Sequence, residues 1–154
     1  GRVNAYLNAF GEELMGHQAE KAMAEACTLS GAMVRDFTAA PVYMRSNRTG
    51  GHEWLIEFVK KPQTGMLQFM GFLDASLIRQ NSDYAVKRTG GLAIEEPIGH
   101  ALEPGTFDAW LKSQGKLGGQ HKVPRLSNKR DLIEQIDSIR QRTSEDQLKS
   151  VESD

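Results

Sequence analysis

Between Lys112 and Arg130 the chain carries six basic residues and no acidic one: Lys112, Lys116, Lys122, Arg125, Lys129 and Arg130. Gly115 and the pair Gly118-Gly119 break this stretch, and Pro124 stiffens its end. Glycines let the backbone come close to a ligand, and positive charge without intervening carboxylates draws an anion. A phosphate or a carboxylate is the ligand such a segment suits. The plainer reading is a solvated connector between two helices, which needs far less charge than this.

No other chemistry-bearing pattern competes with it. His17, His52, His100 and His121 show no HxxxH, HxH or Cys/His spacing, so no metal site is implied. There is no GxxxxGK[ST], GxGxxG or GxSxG, which removes the phosphate loop, the dinucleotide fingerprint and the hydrolase elbow. Glu95-Glu96 reads as a charged turn, and Trp54, Trp110, Phe58, Phe72 and Phe107 read as core. Six methionines, spread along the chain, read as packing residues.

At 154 residues the chain fits one domain with a real core. A formal charge of -1 gives no general pull toward nucleic acid or an anionic membrane. The single cysteine, Cys27, allows no internal disulfide and fits a reducing, cytoplasmic setting. No apolar run approaches the ~20 residues of a membrane span. The start at Gly1, with neither Met nor signal peptide, suggests a domain cut from a longer protein.

The elements that must position the basic loop follow from periodicity. Residues 3–10 alternate weakly and read as a strand. Gln18 to Ser30 is a helix with Ala19, Ala22, Met23, Ala26 and Cys27 on one side, stopped by Gly31. Met33 to Arg45 is strand-like, with Pro41 at an edge or bulge. After a turn over Asn47 to Gly51, His52 to Lys60 is a strong strand whose Trp54, Ile56 and Phe58 oppose Glu53, Leu55 and Glu57. Thr64 to Gln80 is an apolar helix, and Tyr84 to Arg88 reads as a strand before the Gly90-Gly91 turn. The order βαββαβ predicts an α+β, ferredoxin-like sheet. An extra strand over Ile98 to Leu102 and two C-terminal helices complete it. The first of these helices bears Phe107, Trp110 and Leu111, and the last is capped by Ser127 with Leu132, Ile133, Ile136 and Ile139 on one side. The domain is expected over residues 1–142, with a polar, frayed tail over 143–154.

The string GTFDAWLKSQGKLGGQHKVPRLSN, from Gly105 to Asn128, resembles the C-terminal signature of the auxin-responsive Gretchen Hagen family of acyl-acid amido synthetases, within the adenylate-forming ligases. Softer matches lie at Asn8 to Leu14, Asp36 to Val42 and His52 to Phe58, so the likeness spans residues 3–139. It implies a small C-terminal domain that carries a lysine to the ATP α-phosphate or the acyl-adenylate. Lys122, within Gln-His-Lys-Val-Pro-Arg, is the first candidate for that lysine and Lys116 the second; spacing does not choose between them. Arg125, His121, Gly118 and Gly119 are implied to contact nucleotide or phosphate, Arg125 through a carboxylate or phosphate at the domain interface. Gly11 and Glu12 would lie beside the hinge, although the family pattern places a lysine near this crossover where this chain has Glu12 and Glu13.

The same resemblance implies ATP with Mg2+ in the full-length enzyme and none bound by this chain alone. The partners it implies are an N-terminal adenylation domain of the same polypeptide and carboxylic acid and amine substrates, with no nucleic acid and no membrane. The Ser/Thr/Gly-rich loop that cradles ATP phosphates is expected in that large domain, so the isolated chain is expected to be inactive. A ferredoxin-like sheet also serves as a binding module for RNA or a small regulatory ligand. Against RNA stand Glu53 and Glu57 on the best strand and the lack of an RNP1-type string. A purely structural dimerisation domain is the third reading.

Overall fold

The computed structural model describes residues 6–43, 49–90, 93–115 and 123–152, with side chains described as far as residue 143. Strands β1 (Tyr6–Leu7) and β2 (Leu14–Met15) form a small antiparallel hairpin. Helix α1 (Gly16–Ser30) follows, its first turn tied by the Gln18 side chain accepting the Met15 N–H at 3.0 Å. Gly31, at φ 73°, ends it in the left-handed conformation that only glycine adopts freely. Strands β3 (Met33–Tyr43) and β4 (Gly50–Lys60) make a long antiparallel hairpin. Then come α2 (Met66–Gln80), α3 (Ser82–Thr89), β5 (Ile98–Leu102), α4 (Thr106–Ser113) and α5 (Asp131–Glu152).

β4 is the centre of a three-stranded sheet ordered β3-β4-β5, antiparallel to β3 and parallel to β5. Its side chains alternate between two covered faces, as the strand's period of two requires. Trp54, Ile56 and Phe58 belong to the larger core cluster with α1 and α2; Leu55 belongs to a second cluster with Leu102, Phe107, Trp110, Leu132, Ile133 and Ile136. The expected α+β class holds, with the extra strand present as β5 and the two C-terminal helices as α4 and α5. The chain order β–α–β–β–α–β runs through β2, α1, β3, β4, α2 and β5, which is broadly ferredoxin-like: β5, expected as an extra strand, takes the last place in that order instead of Tyr84 to Arg88, and the first strand is held apart in the β1–β2 hairpin.

Three local expectations change. Tyr84 to Arg88 is helix α3, not a strand, because the Asn81 side chain accepts the Tyr84 N–H at 2.8 Å and opens a helical turn. Among the described residues of 3–10, only Tyr6–Leu7 is strand, since the Gly11 N–H bonds the Asn8 carbonyl at 3.1 Å and closes a turn. Ser127 does not cap α5, which begins at Asp131; the Ser127 N–H bonds the Ala39 carbonyl of β3 at 3.0 Å. α5 continues as helix across residues 143–152.

Candidate functional site

Both ends of the basic loop are moored to the β3–β4 hairpin. At the leading end, Glu57 points from β4 into the second cluster and is 1% exposed. Its carboxylate accepts the Gly105 N–H at 3.1 Å and the Phe107 N–H at 3.0 Å, so it holds two of the free donors of the α4 N-terminus. Gly105 stands at φ 90°, a conformation that the sharp entry into α4 requires. Phe107 and Trp110 anchor α4 in the core, and the Trp110 Nε1–H donates to Gln135 Oε1 at 2.7 Å, joining α4 to α5.

At the trailing end, residues 123–127 lie along the outer edge of β3. Ala39 donates to the Arg125 carbonyl and receives the Ser127 N–H, each at 3.0 Å, while Thr38 Oγ1–H donates to the Pro124 carbonyl at 2.6 Å. Val123 and Leu126 are buried in the two different core clusters, so the segment is pinned on both sides of the sheet. The Arg125 guanidinium pairs with Asp36, reaches Glu20 at 3.2 Å and lies 4.5 Å from the centre of the Phe37 ring. Arg130 then donates to the Pro41 carbonyl at 2.9 Å and to Glu53 at 2.7 Å. Burial pushes the Glu53 carboxyl up, but hydrogen bonds from Arg130 and His100 outweigh it and hold it below the usual range.

The expected site residues divide accordingly. Lys116, Gly118, Gly119, His121 and Lys122 lie outside the described residues. Arg125 is described, and its partners are carboxylates of this same domain. Gly11 and Glu12 sit in the β1–β2 turn, remote in sequence from the loop. Gly11 has φ 78°, and Glu12 is fully buried with its carboxylate 2.5 Å from His52 Nε2. Among the described residues no group of His, Cys, Asp or Glu could hold a metal ion, and no helix is long and apolar enough to cross a membrane.

Two buried polar groupings have no signature in sequence spacing. One is Glu12–His52, forty residues apart. The other joins α2 to α3: Asp74 accepts two hydrogen bonds from Arg88, at 2.9 and 2.6 Å, and the Tyr84 hydroxyl at 2.6 Å. Burial, together with the Asp74 charge, drives the Tyr84 phenol well above the ordinary tyrosine range. Tyr84 and Arg88 stand one turn apart on α3, a proximity that reading Tyr84 to Arg88 as a strand hides. A groove of about 610 Å³ also runs between α1 and β3, lined by Met23, Cys27, Met33, Phe37 and Arg125 among others. Burial raises the Cys27 thiol, with a Val34 backbone hydrogen bond opposing.

Comparison with known proteins fits this architecture. Residues 17–131 match the model of the GH3 family C-terminal domain. Among curated proteins compared by sequence, none matches. In structure the chain is similar to the acyl acid amido synthetase AtGH3.15 in complex with 2,4-DB, with TM-score 0.69 and 19% identity over 90% of this chain and 26% of that one. A second structure of the GH3.15 acyl acid amido synthetase gives TM-score 0.69 and 17% identity over 88% of this chain and 26% of that one. The chain thus spans about a quarter of the length of these solved relatives. On the family match across residues 17–131, the chain belongs to the GH3 family as its C-terminal domain.

Proposed function

We propose that this chain works as the mobile C-terminal domain of an ATP-dependent acyl acid amido synthetase, closing over a carboxylic acid that an N-terminal adenylation domain has bound with ATP. The observation that carries the reading is the double mooring of an acid-free, lysine-bearing loop: Glu57 fixes the helix that leads into it, and Asp36 with Ala39 fixes the segment that leaves it. Fixing the segments on either side of a lysine-bearing loop shortens the span of chain that must be ordered when that lysine meets a partner surface.

The reaction has two halves. The substrate carboxylate attacks the ATP α-phosphorus and pyrophosphate leaves; the amine of an acceptor, an amino acid in the simplest case, then attacks the acyl carbonyl and AMP leaves. Lys122, with Lys116 as the second candidate, supplies positive charge to the oxygens that gain negative charge in the first half. Gly118 and Gly119 let the backbone lie close to the phosphate, His121 contacts it, and Arg125 holds the end of the loop. Gly11 and Glu12 lie beside the swivel. The nucleotide cradle and the Mg2+ that accompanies ATP belong to the large domain, and the whole enzyme works in the cytoplasm. Both faces of the sheet are packed by helices, which weighs against a base-stacking nucleic-acid surface.

The test is ATP–pyrophosphate exchange by the full-length parent over a panel of carboxylic acids, with wild type against Lys122→Ala. The expected loss is about a hundredfold or more, roughly 3 kcal/mol. Unchanged exchange moves the assignment to Lys116. Pyrophosphate release by the isolated 154-residue chain, or no exchange by the parent with any acid, overturns the reading.

A further inference from the structure

The β1–β2 turn is fastened to the sheet by a buried charge. Glu12 and His52 are both 0% exposed, with Oε2 and Nε2 2.5 Å apart. The other carboxylate oxygen, Oε1, accepts the Phe10 N–H at 2.8 Å, so one carboxylate ties the turn both to itself and to β4. The Phe10 ring lies beside His52, its centre 6.1 Å away, and covers Gly50, where an added Cβ would come within 2.5 Å of that ring. The turn is bent to reach this point: Gly11 has φ 78° and Glu13 has φ 45°, a left-handed position that a glutamate adopts only when its surroundings impose it. The remaining ties are neutral, among them Asn81 Nδ2–H to the Glu13 carbonyl at 3.1 Å and the Glu13 N–H to Asn8 Oδ1 at 3.2 Å.

A carboxylate only accepts, so Nε2 of His52 carries the proton between them. His52 Nδ1 is buried and has no hydrogen-bond partner among the described residues. Further protonation therefore has no good place to go. On Nδ1 it makes a buried donor with no acceptor. On Oε2 it sets donor against donor unless the ring shifts its proton to Nδ1, with the same result. On Oε1 it breaks the bond from Phe10.

We propose that Glu12 and His52 form a one-proton latch that holds the β1–β2 turn on the sheet and releases it when a second proton is taken up. The groups facing the latch are few. Tyr84 of α3 stacks on His52 at 5.8 Å, with its hydroxyl held by Asp74 of α2, which Arg88 neutralises. The Lys87 side chain of α3 lies against Gly11, and the Glu95 carboxylate is turned to Thr49. Burial pushes the Glu12 carboxyl up, but the hydrogen bonds it accepts from His52 and from the backbone outweigh it and hold it below the ordinary range. A depressed carboxyl stabilises the attached turn above the ordinary carboxylate range and ceases to do so as pH falls through its folded value. Release therefore occurs at acid pH.

Amide hydrogen exchange on the 154-residue chain, from neutral pH down to roughly pH 4 and just below, tests this. The protection factor of the Phe10 amide is expected to fall at least ~10-fold while those of Ala22 and Met23 in α1 stay level. Glu12→Gln should abolish that pH dependence. Constant Phe10 protection in the wild type, or the same acid response in Glu12→Gln, overturns the latch. Should Glu12→Gln not fold, the side-chain carboxyl carbon shift of Glu12 in the wild type decides. Protonation of that carboxyl together with loss of Phe10 protection is the expected result. A protonated carboxyl with Phe10 still protected overturns the latch.

Discussion

Replacing Glu57 with glutamine changes one oxygen to an amide and keeps the shape, so it isolates the role of the carboxylate at the start of α4. In the native domain both oxygens accept backbone donors, from Gly105 and Phe107, and Arg35 adds a contact at 3.3 Å. The glutamine oxygen can keep one of those donors, but its NH2 then faces the other N–H. One charge-assisted hydrogen bond is lost, about 1.5–3 kcal/mol, and the negative charge at a helix N-terminus goes with it, about 0.3–1 kcal/mol. The Arg35 contact adds little, because that side chain is half exposed. The expected destabilisation is therefore about 2–4 kcal/mol, or roughly 4–16 °C in Tm for a domain of this size. Urea unfolding followed by far-UV circular dichroism measures it, with Arg35→Gln as a control expected to change stability by under ~0.5 kcal/mol. Glu57→Gln within ~0.5 kcal/mol of wild type would refute the claim that this carboxylate holds the helix leading into the loop.

Further outcomes follow from the same geometry. Asp36→Asn removes one of the two carboxylates on Arg125, Glu20 remaining, and is expected to destabilise by about 1–2 kcal/mol, with faster exchange of the Ala39 and Ser127 amides; unchanged exchange there would separate Arg125 from the mooring. Asp74→Asn, which weakens the Arg88 pair and the acceptor for Tyr84, is expected to cost about 2–3 kcal/mol in urea unfolding. The raised Tyr84 phenol binds its proton more tightly folded than unfolded, so stability is full below the ordinary tyrosine range and declines as pH rises through and above it. Ultraviolet titration should find Tyr84 silent until the domain unfolds in alkali; a smooth ionisation of all three tyrosines with the fold intact would contradict the burial argument.

Much of this fold is legible because its elements obey one period each. The alternation of Trp54, Ile56 and Phe58 against Glu53, Leu55 and Glu57 marks β4, and the spacing of Leu132, Ile133 and Ile136 marks α5. The same alternation misleads about what Glu53 and Glu57 do. A strand face bearing two carboxylates reads as solvated, yet α4 and α5 cover it, and the two glutamates serve a helix N-terminus and Arg130. Tyr84 to Arg88 misleads for a different reason: an eight-residue helix has too few turns for a period to emerge, so its Asn81 cap is the only local signal. Glu12 illustrates the limit of local reading. Two adjacent acids near a helix start suggest a dipole partner, whereas Glu12 is turned into the core toward a histidine forty residues away. For the candidate loop, charge and glycine content were visible, but the mooring depends on contacts across 48 and 89 residues that no spacing rule encodes.

Those separations bear on the order in which the domain assembles. Strands β3 and β4 are neighbours in sequence, with Tyr43 opposite Gly50, so their hairpin can form early and locally. Pairing β5 onto β4 waits for a crossover that places Ile98 beside Glu53. Docking residues 123–127 onto β3 requires closure of a far longer loop, from Asp36 to Arg125. Loop-closure entropy must be overcome before such distant contacts return any free energy, so the far edge of β3 is covered last on folding. Until then the outward N–H and C=O of Ala39 have no partner on that edge, although β3 is already paired with β4, and an open edge is where chains aggregate. The segment that finishes the candidate site therefore also closes the outer edge of β3.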